Sequence, residues 1–455
     1  CGRIAGVAAI GLLAPVVSGR AYRRELVAFA GLTEGAADAD GAIRIAGFGE
    51  TAATLAALGE IDATKIGEAP AHVFLAAAAS EAADRLAGRL DALGARIERR
   101  DFADYAPFVE SPTFAAPPRE TFAALIDWVG RVAAPQPRRA SGRMPSALLE
   151  GGHFREEGVA FDGGLLAGVV CSPREGGRGR AVVFLNAGAN PRIGWARQTV
   201  DQARSLAREG WTSLRFDIAG LGDSARRADR PAEIPYSDAP QADVAAALDF
   251  LAERGFAEAI LVGPCSGAHL AFHSALRERR VVGLVMSNLQ TFVWTPGRSL
   301  AIAARQATRS TSFYRQQIWR LETWRRLVTG GIDLRTIGRA LTRRAATRAA
   351  DRVKAIGAAP TDTVSHKFAR LSARGARVML VYSEEDGGLD ELAAHLGEGG
   401  RAFLRLPHTR LEILADADHN LTSQAARDRM GELLAAFLRE GELAEAAERL
   451  SAATR

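Results

Sequence analysis

Cysteine is scarce in this chain: Cys1, Cys171 and Cys265 are the three among 455 residues. They are too few and too scattered for a disulfide framework or a C-x-x-C metal site, so a reducing, cytoplasmic setting is expected and each thiol must be explained by packing or by reactivity. Lysine is rarer still for its class, since of 58 basic residues only Lys65, Lys354 and Lys367 are lysines. That skew, with the abundant alanine, is compositional and says nothing of function. No apolar run reaches the roughly 18 to 20 residues of a spanning helix. Charge of neither sign dominates overall, the net being +5, but residues 298–354 hold 14 basic side chains against Glu322, Asp333 and Asp351. Basicity is therefore regional and does not by itself argue for nucleic acid. What the chain does have, 47% apolar and 24% charged residues, fits two or three globular domains and excludes a disordered protein.

The order of segments suggests one and a half copies of a single design. RVVGLVMSNLQ (280–290) and RIAGVAAIGLLAP (3–15) both open on arginine with a glycine soon after and continue as apolar strands. VMLVYSEED (378–386) then matches VFLAAAASE (73–81), and the amphipathic MGELLAAFL (430–438) matches TFAALIDWV (121–129). Three elements in one order favour a repeat over a secretory signal at the N-terminus. Residues 1–131 are thus expected to be a truncated, degenerate half-copy, cut from a longer tandem protein. Residues 132–151 read as a Pro/Gly/Arg linker, 152–440 as the complete domain, and 441–455 as a helical tail. Counting back from the terminal helix places Glu110 where His419 lies, and the match of 73–81 with 378–386 places Glu81 where Asp386 lies, which predicts a catalytically dead half-copy.

Within the complete domain, 158–172 reads as a hairpin around Asp162-Gly163-Gly164, and AVVFLNAG (181–188) as a strand buried on both faces. Helical spacing at 199–210 and 241–255 then alternates with strands at 211–220 and 257–265. Strands alternating with helices imply a mostly parallel sheet with right-handed crossovers.

Chemistry concentrates first in ILVGPCSGAHLAFHSAL (260–276). A buried strand, then Gly263-Pro264-Cys265-Ser266-Gly267, then a helix has the form G-x-nucleophile-x-G. Residues two before and two after the nucleophile must be small because it sits in a strained strand-to-helix turn. In this frame Cys265 is the nucleophile, at a helix N-terminus that favours thiolate. Ser266 is the rival, but centring on it puts Pro264 and Ala268 at the positions that need glycine. His269 and His273, one turn apart on the following helix, could suggest a metal pair. They lack a third ligand nearby, and packing is the simpler account.

From about residue 152 to 440 the chain resembles an α/β-hydrolase, with an elbow of the cysteine type seen in dienelactone hydrolases. RFDIAGLGDS (215–224) is similar to the turn after that superfamily's fourth strand, and LNAGANPRIG (185–194) sits where its oxyanion loop belongs, although Asn186 replaces a common histidine and Pro191 lacks a backbone donor. The motifs are most similar to serine-aminopeptidase-like hydrolases, including those encoded beside exosortase systems. The resemblance implies a catalytic triad of Cys265, His419 and Asp386, with Asp390 and Glu385 as weaker candidates for the acid. It also implies an oxyanion hole from the N–H groups of Ser266 and Ala189, no metal and no cofactor. The activity expected is hydrolysis or transfer of an acyl group from an ester or thioester through a thioacyl-enzyme.

The superfamily's lid falls at about 290–375, here an arginine-rich helical cap interleaved with Phe313, Tyr314, Trp319 and Trp324. Arg315, Arg320, Arg325 and Arg326 are candidates to contact an anionic substrate, such as one borne by an acidic acyl carrier protein. The competing reading is an inactive hydrolase-like protein that recruits an anionic partner through this cap. Whether Cys265, His419 and Asp386 converge separates the two.

Overall fold

The structure, a computed structural model, describes residues 6–33, 40–45, 47–110, 115–132, 148–228, 236–294 and 363–453. The chain divides into two compact units at Met144/Pro145.

The second unit is built on a nine-stranded sheet. β6 (Leu148–Glu150), β7 (Phe154–Phe161) and β8 (Leu166–Pro173) form its antiparallel end. The β7–β8 turn places Asp162, Gly163 and Gly164 at positive φ, as the Asp-Gly-Gly signal required. Beyond β8, which pairs antiparallel with β10 (Thr212–Phe216), every pairing is parallel: β10, β9 (Arg180–Phe184), β11 (Glu258–Pro264), β12 (Val281–Ser287), β13 (Arg377–Ser383) and β14 (Thr409–Leu414), in that spatial order. The central strands are continuous apolar runs because both faces are covered. Val182, Leu261, Leu284 and Leu380 lie on them, all buried.

β6 falls inside the segment expected to be linker, so the sheet starts earlier than the composition suggested. Its Leu-Leu-Glu is too short for a periodic signal. The expected tail at 441–455 is likewise no separate element, since the last helix runs unbroken over Gln424–Ala453.

Helices flank the sheet: α6 (Gln198–Arg208), α7 (Gln241–Ala252), α8 (Ser266–Arg277), α9 (Val364–Ala373) and α10 (Gly388–Leu396). α6 buries Val200, Ala203, Leu206 and Ala207, the stripe its spacing predicts. One feature of the strand order locates the site. β9 lies between β10 and β11, so the chain runs outward from β9 to β10 and then returns across β9 to form β11. At such a switch point the loops after two adjacent parallel strands diverge and leave a crevice. Here those loops are 185–194 after β9 and the elbow after β11.

The first unit holds a three-stranded parallel sheet in chain order, β1 (Ala9–Leu13), β4 (His72–Ala76) and β5 (Arg96–Arg100), with a small hairpin of β2 (Ile43–Ile45) and β3 (Phe48–Glu50). Helices α1 (Gly19–Thr33), α2 (Ala52–Glu60), α3 (Glu81–Ala92) and α5 (Arg119–Val132), with the short α4 (Tyr105–Phe108), complete it. β5, Arg-Ile-Glu-Arg-Arg, carries charged side chains and no apolar period, yet it pairs with β4 along one side.

Candidate active site

The elbow is set by sterics. Cys265 has φ +52 and ψ −115, a strained conformation for a residue with a Cβ. A Cβ on Gly263 would lie 2.3 Å from the Gly267 carbonyl oxygen, and one on Gly267 would lie 2.5 Å from the Asn186 carbonyl oxygen. Both glycines are thus required by backbone packed on backbone, and the strained apex falls on Cys265, with Ser266 as the first residue of α8. The Cys265 N–H donates to the Ser287 carbonyl at 2.9 Å, which ties the apex to the end of β12.

Cys265, His419 and Asp386 converge. The His419 Nδ1–H donates to Asp386 Oδ2 at 2.6 Å, and the Cys265 thiol stands near enough to His419 for the charge of each to act on the other. Asp386 is buried, while Glu385 is exposed and Asp390 lies in the first turn of α10. Burial opposes ionisation of the Cys265 thiol, but the charge and hydrogen bond of His419, the Tyr236 hydroxyl and the Ser266 N–H outweigh it, and its pKa falls below the usual value. Burial likewise opposes charge on His419, yet Cys265 and Asp386 together raise it well above the ordinary histidine range. Both shifts run in the direction that favours a thiolate beside an imidazolium. Cys171 is the contrast: buried beside Glu156 on β7, it is pushed up to about 11 by burial and then by that carboxylate.

The loop after β9 approaches the elbow from the other side. The Gly188 N–H donates to the Ser266 hydroxyl at 2.7 Å, which assigns Ser266 Oγ a role in holding the loop. Asp217, fully buried, fastens the same loop. It accepts from the Arg192 N–H at 2.6 Å, from the Asn186 amide at 3.3 Å and from the Arg192 guanidinium, while Asn186 Oδ1 accepts from the Ile218 N–H. Asn186 therefore serves as a loop anchor, a role its amide fills with both ends.

A protein-family model for the alpha/beta hydrolase family matches residues 182–434, more than half of the chain. The chain belongs to that family. Solved structures similar to this hydrolase include an esterase from Pyrococcus furiosus (14% identity, 67% of this chain and 96% of that one, TM-score 0.40) and a dienelactone hydrolase from Anabaena variabilis (12%, 63% and 98%, TM-score 0.37). An alpha-beta serine hydrolase homologue from Coxiella burnetii is also similar (12%, 65% and 98%, TM-score 0.35). No curated protein sequence matches the chain.

The hydrolase also places at its site residues that sequence reasoning did not single out. Tyr236 Oη lies 3.6 Å from Cys265 Sγ, its ring stacked on Trp294 at 4.9 Å. No local pattern marks it. Asn288 and Gln290 closed the apolar run of β12 as Ser-Asn-Leu-Gln, and two amides ending a buried strand were the available signal. Asn288 donates to the His419 carbonyl at 2.8 Å, and Gln290 donates to Asp386 Oδ1 at 2.7 Å. His269 and His273 are packing residues, donating to the carbonyls of Thr291 and Phe292 at 2.9 and 2.8 Å. Among the described residues no group of three or more His, Cys, Asp or Glu stands close enough to hold a metal ion. Arg315, Arg320, Arg325 and Arg326 lie outside the described residues.

Proposed function

We propose that this hydrolase cleaves or transfers acyl groups from an ester or thioester through a thioacyl-enzyme on Cys265. The observation that carries this reading is a strained elbow whose apex is a cysteine paired to a histidine, itself backed by a buried aspartate. The Cys265 thiolate attacks the acyl carbonyl, and the oxyanion is received by the N–H groups of Ser266 and Ala189. Collapse of the tetrahedral adduct breaks the bond to the leaving group, which takes its proton from the His419 imidazolium. His419, neutral again, then activates water, or an alcohol, amine or thiol acceptor, to release the acyl group. Asp386 keeps the ring in the tautomer that both steps need.

Incubation with p-nitrophenyl acetate and acyl thioesters, followed by mass spectrometry, tests this. An acyl adduct on Cys265, loss of turnover in Cys265→Ala and substantial turnover in Ser266→Ala are expected. An adduct on Ser266, or a dead serine variant beside an active cysteine variant, refutes the assignment. Absence of any adduct favours a non-catalytic binding protein. For a substrate on an acidic carrier, replacing Arg320 and Arg325 by Gln is expected to raise KM and flatten its salt dependence, with a small neutral ester unaffected.

We read residues 1–131 as a degenerate copy of the same fold's C-terminal half. Supporting this, β1, β4 and β5 are parallel in chain order, as are β12, β13 and β14. Ala14 and Asn288 follow the first strand of each set at φ +43 and +48, and each donates its N–H to the neighbouring strand, to Ala76 and Val381, at 2.8 Å. That register carries Glu81 onto the place of Asp386, and Glu81 is exposed and paired with Arg85 at 2.5 Å.

A further inference from the structure

The Asp386 carboxylate is buried and accepts three hydrogen bonds. Oδ2 takes the proton of His419 Nδ1 at 2.6 Å, and Oδ1 takes the Gly388 N–H and the Gln290 amide, each at 2.7 Å. A carboxylate is an acceptor only, so Gln290 must present its NH₂ to it. Gln290 Nε2 also lies 3.0 Å from His419 Nδ1. Both are donors aimed at one carboxylate, and their closeness follows from sharing it.

The backbone that carries Gln290 is fixed on every side. Asn288, at φ +48, accepts from the Ser383 N–H at 2.8 Å and donates to the Ser383 hydroxyl at 3.0 Å and to the His419 carbonyl. Thr291 and Phe292 donate to Glu391 at 3.2 and 2.8 Å, while His269 and His273 hold their carbonyls. A long side chain anchored at its base, with its amide nitrogen 2.7 Å from Asp386 Oδ1 and 3.0 Å from His419 Nδ1, is arranged to orient both.

We infer that Gln290 is a positioning residue for the catalytic pair: it holds Oδ1 of Asp386 so that Oδ2 faces His419, and thereby fixes the ring that serves Cys265. The inference rests on the proposed role of Cys265 as nucleophile. The titratable groups facing this cluster are Cys265 with Tyr236, His419, Asp386, and Tyr382 and Glu391 behind the carboxylate. Gln290 is the neutral donor among them. Without it Asp386 keeps one amide on Oδ1 and is free to rotate, and the support for charge on His419 weakens.

The test is the rate of Cys265 alkylation by iodoacetamide from pH 5 to 9.5, with p-nitrophenyl acetate turnover measured beside it. In Gln290→Ala, alkylation at pH 6 is expected to fall about tenfold and to recover at alkaline pH, with kcat down roughly 10- to 100-fold and KM little changed. Gln290→Glu, nearly isosteric, supplies an O–H donor while its carboxyl is protonated and repels Asp386 once ionised. It is expected to recover activity at acid pH and lose it as pH rises. Alkylation profiles of both variants superimposing on that of the unaltered protein would overturn the inference. Rapid alkylation of the unaltered protein at pH 6 without turnover of any ester would sink the acyl-transfer reading alone, because the alkylation profiles still decide the role of Gln290.

Discussion

At the scale of single residues, the site depends on two positions where nothing larger than hydrogen fits. Gly263 and Gly267 face backbone atoms at 2.3 and 2.5 Å from where a Cβ would stand, and neither neighbour can rotate away. Gly263→Ala or Gly267→Ala is therefore expected to cost at least the roughly 1 to 3 kcal/mol of an overpacked core and to displace Cys265. Urea denaturation, with turnover measured alongside, checks this; stability unchanged in both variants would mean that the elbow relaxes more readily than its contacts indicate. The buried Cys171 and the half-buried Cys265 show how much environment decides. Cys171 and Cys265 share one side chain, yet Glu156 beside the first disfavours its thiolate and His419 beside the second favours it. Iodoacetamide at neutral pH should modify Cys265 and spare Cys171 in the folded protein.

At the scale of elements, α8 is held to the segment after β12 by two histidines, His269 buried and His273 half-buried. Burial first, and then the charge of His273, lowers His269 to about 4, against the hydrogen bond to Thr291 that favours its charged form; burial lowers His273 as well. Both rings are neutral in the folded state at neutral pH. The unfolded chain, with histidines of ordinary pKa near 6.5, binds more protons below that value. Stability is thus expected to fall as pH drops below about 6.5, for His269 down to about 4, by at most about 1.4 kcal/mol per pH unit for each histidine. His419, whose pKa is raised, works in the opposite direction, so the informative quantity is the difference between the unaltered protein and His269→Gln. Urea midpoints at pH 7, 5.5 and 4.5 should converge for the pair as pH falls. Parallel curves would mean that the histidine does not carry the pH dependence. Element type was legible wherever a strand is buried on both faces or a helix shows one apolar stripe, as in β9, β11, β13 and α6. It was hidden in β5 and β6, where the charged Arg-Ile-Glu-Arg-Arg and a three-residue strand carry no apolar period.

At the scale of the whole molecule, Cys265, His419, Asp386, the loop after β9 and the amides that support them all lie in the unit from Pro145 onward. A variant beginning at Pro145 is expected to retain ester turnover within a few-fold of the full chain, since the first unit supplies none of those groups. A loss of catalysis with the 145–455 unit still folded, judged by circular dichroism and thermal melting, would show that residues 1–144 complete the site. The arginine-rich segment belongs to the same unit, and its charge makes ionic strength the natural variable for any carrier-bound substrate.

The sequence by itself determined the elbow, because a strained turn between a buried strand and a helix demands small residues at two fixed offsets, and Gly263 and Gly267 leave one frame that fits. It also determined the alternation of strands and helices, which follows from local periodicity. The partnership of Cys265, His419 and Asp386 was legible by resemblance, since more than a hundred residues separate the cysteine from the other two. The three-dimensional fold alone sets β9 between β10 and β11, lets Asp217 and Asn186 fasten the loop after β9, and brings Tyr236, Asn288 and Gln290 to the site. Those contacts join residues 29 to 131 positions apart in single hydrogen bonds, and a bond of that kind leaves no period, spacing or composition in the chain.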